Sequence, residues 1–349
     1  MSFLEVKSVV IRGLAASVPR LIRDNFIELS QNEAEKLLKS TGVRNRHVAS
    51  DGICTTDLCC SAAKACLEKL GWSPSEVDCL IFVTQTPDYL LPAASFSIHE
   101  RLSLRTNCYL LDVSLGCSGY VYGLSVIAAL MQNGHFKKGL LLVGDTISRT
   151  CSINDKSTFP LFGDAGTATA LEYQPGGAGF KFSFGSDGSR KGAICIKGGG
   201  FRNPFSVDSL KEFDHGDGRF HSDLQLNLEG MDVFSFGINR APASVAQLVD
   251  YFKLDKDGID DFFFHQANRF MNEMIRKKLG IEIARVPYSI ERFGNVSSAT
   301  IPLTMISERA NELTKFRRKN IACGFGVGLS WGSVYFETAD LSIPEISYI

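Results

Sequence analysis

Apolar runs alternate with amphipathic segments along the whole chain, which is typical of an α/β fold with buried sheets. Residues 110–113 predict a strand, and the apolar stretch 119–131 predicts a buried helix soon after it. Between residues 231 and 248 the apolar positions recur at spacings of three and four, which marks one face of another helix. The glycine-rich segment 198–204 predicts a surface loop.

The order of these elements repeats within the chain. His265 ends an apolar strand 181 positions after Thr84, which ends a similar one, and the same offset carries Cys117 onto Ser298. It also carries the apolar run 140–143 onto 321–324. We interpret the repeat as an ancient duplication. The predicted halves are residues 1–175, which hold Cys117, and residues 176–349, with an active site at their interface.

Composition narrows the functional classes. The 349 residues are 44% hydrophobic with 37 basic and 38 acidic side chains, so no basic surface for nucleic acid is indicated. No secretory signal and no apolar run long enough to cross a bilayer is visible. The ten cysteines lack C-x-x-C spacing, which disfavours zinc or redox sites, and most are expected to pack as small apolar groups. These features predict a cytoplasmic protein that does not act at a membrane.

Cys117 is the candidate nucleophile because it lies in a small-residue turn between a strand and a helix. Unpaired backbone N–H groups and the helix dipole at such a turn are expected to favour the thiolate. Taken alone, a cysteine before a buried helix is usually a packing residue. His265 and Asn295 occupy comparable strand ends in the second half, and together the three side chains form a catalytic constellation.

Seven short segments then resemble the β-ketoacyl-acyl-carrier-protein synthase III family of thiolase-superfamily condensing enzymes. They are residues 41–47 (TGVRNRH), 114–120 (SLGCSGY), 161–166 (LFGDAG), 229–234 (EGMDVF), 265–268 (HQAN), 294–299 (GNVSSA) and 324–332 (GFGVGLSWG). Their order and spacing are specific, and the resemblance covers essentially the whole chain. It implies a thiolase-like duplicated five-layered αβαβα fold, a homodimer and a Cys117–His265–Asn295 triad.

The resemblance also implies the chemistry. Cys117 takes the acyl group of a coenzyme A or acyl-carrier-protein thioester, and a malonyl thioester on acyl carrier protein then loses carbon dioxide. His265 and Asn295 are expected to stabilise the resulting enolate, and the backbone N–H groups of Cys117 and Val327 to form an oxyanion hole. Neither a cofactor nor a metal is expected.

Four substrate-binding residues follow from the same resemblance: Leu91, Lys156, Phe234 and Asn268. Leu91 is expected to line the acyl pocket of the partner subunit, and Lys156 to stand where the family has a nucleotide-pairing arginine.

The chain departs from the family at the donor entrance. Lys36 and Ser40 replace the tryptophan and arginine that sandwich adenine, and Phe270 replaces a basic residue, with Arg269 displaced by one position. Acetyl coenzyme A is therefore not the expected primer.

Two other functions remain as alternatives, and a hydrolase function is excluded. An acyltransferase that passes the acyl group to an amine or hydroxyl, and a non-catalytic partner subunit, stay as alternatives. Residues 328–332 match the G-x-S-x-G elbow of hydrolases, but a strand is predicted after them and no histidine follows His265. The other histidines, which are His47, His99, His135, His215 and His221, are predicted to lie on the surface or in loops.

Overall fold

The computed structural model describes residues 1–349, with the exception of the side chain of Glu28. The strands are β1 (Ser2–Val6), β2 (Val9–Val18), β3 (Ile22–Asp24), β4 (Asn45–His47), β5 (Cys79–Val83), β6 (Tyr109–Val113), β7 (Lys138–Asp145), β8 (Ala165–Tyr173), β9 (Phe180–Ser186), β10 (Ile194–Cys195), β11 (Phe213–Asp214), β12 (Phe220–His221), β13 (Asn227–Leu228), β14 (Asp261–Phe264), β15 (Arg318–Gly326), β16 (Ser330–Thr338) and β17 (Ser347–Tyr348). The helices are α1 (Asn25–Glu28), α2 (Gln31–Thr41), α3 (Thr55–Leu70), α4 (Ala94–Leu102), α5 (Gly119–Met131), α6 (Gly230–Tyr251), α7 (Arg269–Leu279), α8 (Ile290–Phe293) and α9 (Thr300–Lys315). Helices separate β4, β5, β6 and β7, and again β13, β14 and β15, as the sequence predicts, whereas β7, β8 and β9 follow one another without an α-helix, and so do β15 and β16.

Two mixed sheets form the framework. One has the strand order β17-β2-β8-β7-β5-β6, and the other has the order β1-β9-β16-β15-β14. The series β2-β8-β7-β5 and β9-β16-β15-β14 have the same parallel and antiparallel pairings. The repeat inferred from the offset of 181 residues is therefore present in the fold.

The helices α5 and α9 lie between the two sheets, since each contacts strands of both. Burial on two sides explains why α5 is apolar nearly all round, with buried residues on every face. The helix α3 covers the outer face of the first sheet, and α6 covers that of the second. The result is the predicted five-layered αβαβα arrangement. None of the described helices combines the length and the apolar run that crossing a bilayer would take.

The two halves exchange their terminal strands. The first strand, β1, pairs with β9 in the second sheet, and the last strand, β17, pairs with β2 in the first. The division of the chain into residues 1–175 and 176–349 stays a prediction, and these strand exchanges tie the two halves together.

Candidate active site

A cavity of ≈ 310 Å³ lies where strand ends of the two halves meet. Cys117, His265 and Asn295 all line it, so the structure brings together the three residues that the sequence singles out. Its walls also include apolar side chains from both halves, among them Ile147 and Phe325. The catalytic roles of the three residues stay predictions, but their convergence meets the geometric requirement for a shared site.

Cys117 lies in the turn between β6 and α5 and is only 7% exposed. The turn packs tightly against the loop after β15. A Cβ atom on Gly326 would lie 2.5 Å from the Cβ and 2.7 Å from the Sγ of Cys117, so only glycine fits there without displacement. The backbone N–H groups of Val327 and of Cys117 itself lie near the sulfur and act to lower the pKa of its thiol. These are the two groups that the sequence proposes as the oxyanion hole.

The expectation of a favoured thiolate is wrong for this structure. Burial raises the pKa of the Cys117 thiol to about 11, although the hydrogen bonds from the Val327 and Cys117 backbone lower it. Burial also lowers the pKa of His265 to about 3. Both side chains are therefore neutral near pH 7. The helix dipole does not prevail because burial of the sulfur withholds the water that would solvate a thiolate.

His265 follows β14, and its ring is held from behind by the turn that carries Asn295. Its Nδ1 atom lies 2.7 Å from Oγ1 of Thr300, and that hydroxyl is 3.0 Å from the carbonyl oxygen of Ser297. The Thr300 hydroxyl has one proton and two acceptors within reach, so its orientation selects the tautomer of the imidazole. If it donates to Ser297, Nδ1 carries the proton and Nε2 is basic. If it donates to Nδ1, Nε2 carries the proton.

The backbone of Asn295 is fixed by the segment that precedes Asp164. Its N–H donates to the carbonyl of Leu161 (3.0 Å), and its own carbonyl accepts from the N–H of Gly163 (3.1 Å). The side-chain oxygen Oδ1 accepts from the N–H of Ser297 (2.9 Å). Because that oxygen is occupied by the turn, the Nδ2 amino group is left as the donor that Asn295 offers to the cavity.

Asp145, at the end of β7, is a residue that the sequence analysis missed. The carboxylate is fully buried and accepts hydrogen bonds from the Thr84 hydroxyl (3.0 Å), the Gln85 N–H (2.7 Å) and the Ser298 hydroxyl (2.7 Å). Burial raises its pKa. Asp145 thus ties strand ends of the first half to the turn that carries Asn295. The signal available in the sequence was an acidic residue, Asp145, soon after the apolar run 140–143.

The predicted substrate-binding residues divide into two groups. Asn268 lines the cavity, and its Oδ1 also caps α7 by accepting from the N–H of Met271 (2.7 Å). Leu91, Lys156 and Phe234 do not line the cavity of the single chain. Lys156 is 69% exposed on its side chain and pairs with Glu33 (3.0 Å).

Phe234 stacks on Phe270, with ring centroids 5.8 Å apart. An aromatic pair therefore occupies the region where the family pattern places a basic residue. Arg269, the displaced basic residue, lies over the Tyr288 ring and 4.0 Å from a Glu291 oxygen.

Two histidines contradict the prediction that they lie on the surface or in loops. His47 is buried in β4 with its Nδ1 atom 2.6 Å from the carbonyl of Pro19, and burial lowers its pKa. His221 is buried on β12 and stacks on His215 at a centroid distance of 3.9 Å. Their rings fill space in the packed interior, which isolated positions in the sequence cannot reveal.

The hydrolase motif is confirmed to be fortuitous. Ser330 lies within β16 rather than at a strand-to-helix elbow, and its hydroxyl donates to the carbonyl of Val327 (2.7 Å). All ten cysteines are free.

Comparison with known proteins agrees with this geometry. Residues 111–188 match the family model of 3-oxoacyl-[acyl-carrier-protein] synthase III, and residues 250–338 match the model of its C-terminal part. A β-ketoacyl-[acyl-carrier-protein] synthase III of Streptococcus agalactiae is 30% identical over 318 residues, covering 90% of this chain and 94% of the relative. A putative 3-oxoacyl-[acyl-carrier-protein] synthase 3 of Campylobacter jejuni is 30% identical over 347 residues, covering 96% of each.

Solved structures show the same relationship. The crystal structure of a 3-oxoacyl-(acyl-carrier protein) synthase from Burkholderia xenovorans is 37% identical, with a TM-score of 0.93 over 100% of this chain and 99% of the other. The fold also matches the priming β-ketosynthase of the R1128 polyketide pathway at 23% identity and a TM-score of 0.81. The chain belongs to the 3-oxoacyl-[acyl-carrier-protein] synthase III family and is a condensing enzyme of the acyltransferase class.

Proposed function

We propose that this enzyme transfers an acyl group from a carrier-protein thioester to Cys117 and condenses it with a malonyl thioester. The observation that supports this most is the cavity in which the buried Cys117 sulfur lies near two backbone N–H groups, together with His265 and Asn295. The product is a β-ketoacyl thioester of the kind used in fatty-acid, polyketide or related acyl biosynthesis.

Acyl transfer begins with a neutral thiol and a neutral imidazole. Nε2 of His265 accepts the thiol proton as the Cys117 sulfur attacks the thioester carbonyl. The negative charge on the carbonyl oxygen is stabilised by the N–H groups of Cys117 and Val327. When the tetrahedral adduct collapses, the carbon–sulfur bond to the carrier breaks, and the carrier thiolate takes the proton from the imidazolium. The acyl group is then held as a thioester of Cys117.

Condensation uses the side chains of His265 and Asn295 as hydrogen-bond donors. The carboxylate of the malonyl thioester leaves as carbon dioxide, and its bonding electrons form an enolate. The enolate oxygen accepts hydrogen bonds from the Nδ2–H of Asn295 and from the Nε2–H of His265, which is then the neutral tautomer that carries its proton on Nε2. The enolate carbon attacks the acyl carbonyl on Cys117, a carbon–carbon bond forms, and the carbon–sulfur bond breaks. The Cys117 thiolate finally takes up a proton from water.

The donor is proposed to be acyl carrier protein rather than acetyl coenzyme A. Lys36 and Ser40 are exposed on α2, where the family pattern has an aromatic and a guanidinium group around adenine. The lost stacking and cation–π contacts are worth roughly 0.5–2 kcal/mol each, so coenzyme A is bound more weakly by about tenfold or more. The binding of an acyl group carried on acyl carrier protein is not weakened by this change.

We also propose a cytoplasmic homodimer. Residues 89–91 form an exposed apolar run, in which Leu91 is 84% exposed, and β6 is the free edge of its sheet with Tyr109 and Leu111 partly exposed. We propose a two-fold interface that covers both features, with Leu91 at the acyl pocket of the partner as the family resemblance implies. Sedimentation is expected to give twice the mass of the chain, and a stable active monomer would contradict the proposal.

The central test is acylation of Cys117. One acyl group is presented on coenzyme A and on acyl carrier protein, and the adduct is measured by intact mass and mapped by digestion. We expect an adduct on Cys117 that is absent in Cys117→Ala, faster formation from the carrier protein, and carbon dioxide release on adding malonyl thioester.

Each part of the proposal has an outcome that overturns it. Adduct formation that survives Cys117→Ala would remove Cys117 as the nucleophile. Acyl transfer to an amine or hydroxyl without carbon dioxide release would favour the alternative acyltransferase. A preference for coenzyme A that is unaffected by Lys36→Ala would show that adenine is anchored elsewhere.

A further inference from the structure

Gln85 is a polar cavity residue with no place in the reaction proposed above. It directly follows the Thr84 that ends the apolar strand segment containing β5, and its backbone N–H donates to Oδ1 of Asp145 (2.7 Å). Its side chain lines the same cavity as Cys117. The backbone is therefore anchored, while the side chain forms part of the cavity wall.

The amide lies directly beside the nucleophile turn. A Cβ atom on Gly116 would overlap Oε1 of Gln85, so the missing side chain at position 116 leaves the room that the amide occupies. Gly116 immediately precedes Cys117. Gln85 and Cys117 thus line one cavity, and an acyl group on the Cys117 sulfur that extends along Gly116 passes close to the Gln85 amide.

The hydrogen bonds of Gln85 to the described residues are made by its backbone and not by its side-chain amide. Thr86 differs, because its hydroxyl lies 2.8 Å from that of Thr55 and accepts from the N–H of Thr146 (2.9 Å). Gln266, which occupies the position equivalent to Gln85 in the second half of the repeat, differs too. Its Nε2 atom donates to the carbonyl of Phe264 (2.8 Å), and the residue is fully buried.

An acyl group that fills this part of the cavity removes the Gln85 amide from water. A plain alkyl chain offers no hydrogen bond in return, and an unpaired buried donor or acceptor is costly. A hydroxyl or keto group on the chain restores the pairing, because a primary amide both donates and accepts. Sites built to bind a substrate hydroxyl discriminate strongly against analogues that lack it.

We infer that the acyl group of this enzyme carries a hydrogen-bonding substituent near the thioester, and that the Gln85 amide recognises it. The inference rests on the proposed acylation of Cys117 and names the class of acyl group. Ile147, Ile194 and Leu226 contribute apolar wall to the same cavity, so the substrate is a substituted alkyl chain rather than a fully polar one.

The test is a competition between two acyl groups of equal length on the same acyl carrier protein, butanoyl and 3-hydroxybutanoyl. Both donors are mixed in equal amounts, and the two acyl–Cys117 adducts are separated by intact mass at early times. We expect the hydroxylated adduct to form about tenfold faster in the wild-type enzyme. Gln85→Leu should remove or reverse this preference, whereas Gln132→Leu, an equal change at the exposed C-cap of α5, should leave it unchanged.

The outcomes separate the inference from the proposed function. Equal rates, or faster butanoyl transfer, with Cys117 still acylated would overturn the inference and leave the proposed function standing. An unchanged preference in folded Gln85→Leu would also overturn it. No adduct on Cys117 from either donor would overturn both. If Gln85→Leu does not fold, the ratio of hydroxybutanoyl to butanoyl adduct in the wild-type enzyme decides the question.

Discussion

At the scale of single residues, the site depends on which atoms of each polar side chain the fold has already occupied. Asn295 accepts through Oδ1 from its own turn, which leaves Nδ2 for the substrate. His265 is held through Nδ1, which leaves Nε2 for the substrate. The supporting hydrogen bonds thus decide which groups can act as donors or bases in the cavity.

Thr300 provides a residue-scale prediction. Thr300→Val removes the hydroxyl that can donate to Nδ1 of His265, so Nδ1 is expected to keep its proton and donate to the carbonyl of Ser297. Nε2 then stays basic, which preserves acylation of Cys117 but removes one donor from the enolate. We expect carbon dioxide release to slow by about 10²-fold, with adduct formation retained.

The measurement follows adduct mass and carbon dioxide separately. Thr300→Ser restores the hydroxyl and should return carbon dioxide release to near the wild-type rate. Equal loss of both half-reactions in Thr300→Val, without rescue by serine, would mean that Thr300 supports the fold rather than the tautomer of His265.

At the scale of elements, the nucleophile turn and the loop after β15 are positioned by close contact. Gly324 approaches the same turn, because a Cβ atom there would lie 2.8 Å from the carbonyl oxygen of Cys117. The backbone N–H of Val327 reaches the Cys117 sulfur only because these glycines let the two segments approach.

Gly326→Ala tests this contact. The added methyl group would overlap the Cys117 side chain and displace the sulfur from its backbone donors. We expect acylation to fall by about 10²-fold, since displacements on the order of 1 Å have effects of that size. Gly188→Ala is the matched control, because an added Cβ atom there meets nothing within 4 Å. Full acylation in Gly326→Ala would show that the site tolerates a wider turn.

At the scale of the whole molecule, buried carboxylates make stability depend on pH. Asp164 is fully buried and accepts from the N–H groups of Ala49 (2.7 Å) and Ser148 (2.9 Å). Burial raises its pKa from the ordinary value of 3.8 to about 6, although the Ser148 hydroxyl and these N–H groups lower it. The folded protein therefore binds this proton more tightly than the unfolded chain does.

The sign of the pH effect follows from this difference. The stabilisation by the proton on Asp164 is complete below the unfolded pKa and is lost as the pH rises through about 6. Between pH 5 and pH 7 the free energy of unfolding of the wild type should fall by about 1 kcal/mol relative to Asp164→Asn. Urea unfolding of both proteins at the two pH values measures it. Parallel pH profiles would exclude Asp164 as the titrating group.

Much of the fold was predictable because it depends on local patterns. The boundaries of α5 match the predicted apolar stretch 119–131, and α6 contains the predicted amphipathic segment. The duplication was visible as a constant offset, since both halves keep the same order of strands and helices. Cys117 and His265 were identified because each follows a strand within a recognisable motif. The expectation that Asn295 also lies at a strand end is wrong, because Asn295 follows the short helix α8.

Only the tertiary structure decided the electrostatics and the remaining contacts of the site. Burial raises the pKa of Cys117 and outweighs the lowering effect of the Val327 backbone N–H, which reversed the expectation drawn from the local helix dipole. The roles of Asp145 and Gln85 arise from contacts with Ser298 and Gly116 that no local pattern records. Local sequence thus determined the elements and the reactive groups of this protein, because the spacing of apolar side chains that marks a helix or a strand depends only on residues close together in the chain. Packing decided protonation and selectivity, because desolvation depends on everything that surrounds a group.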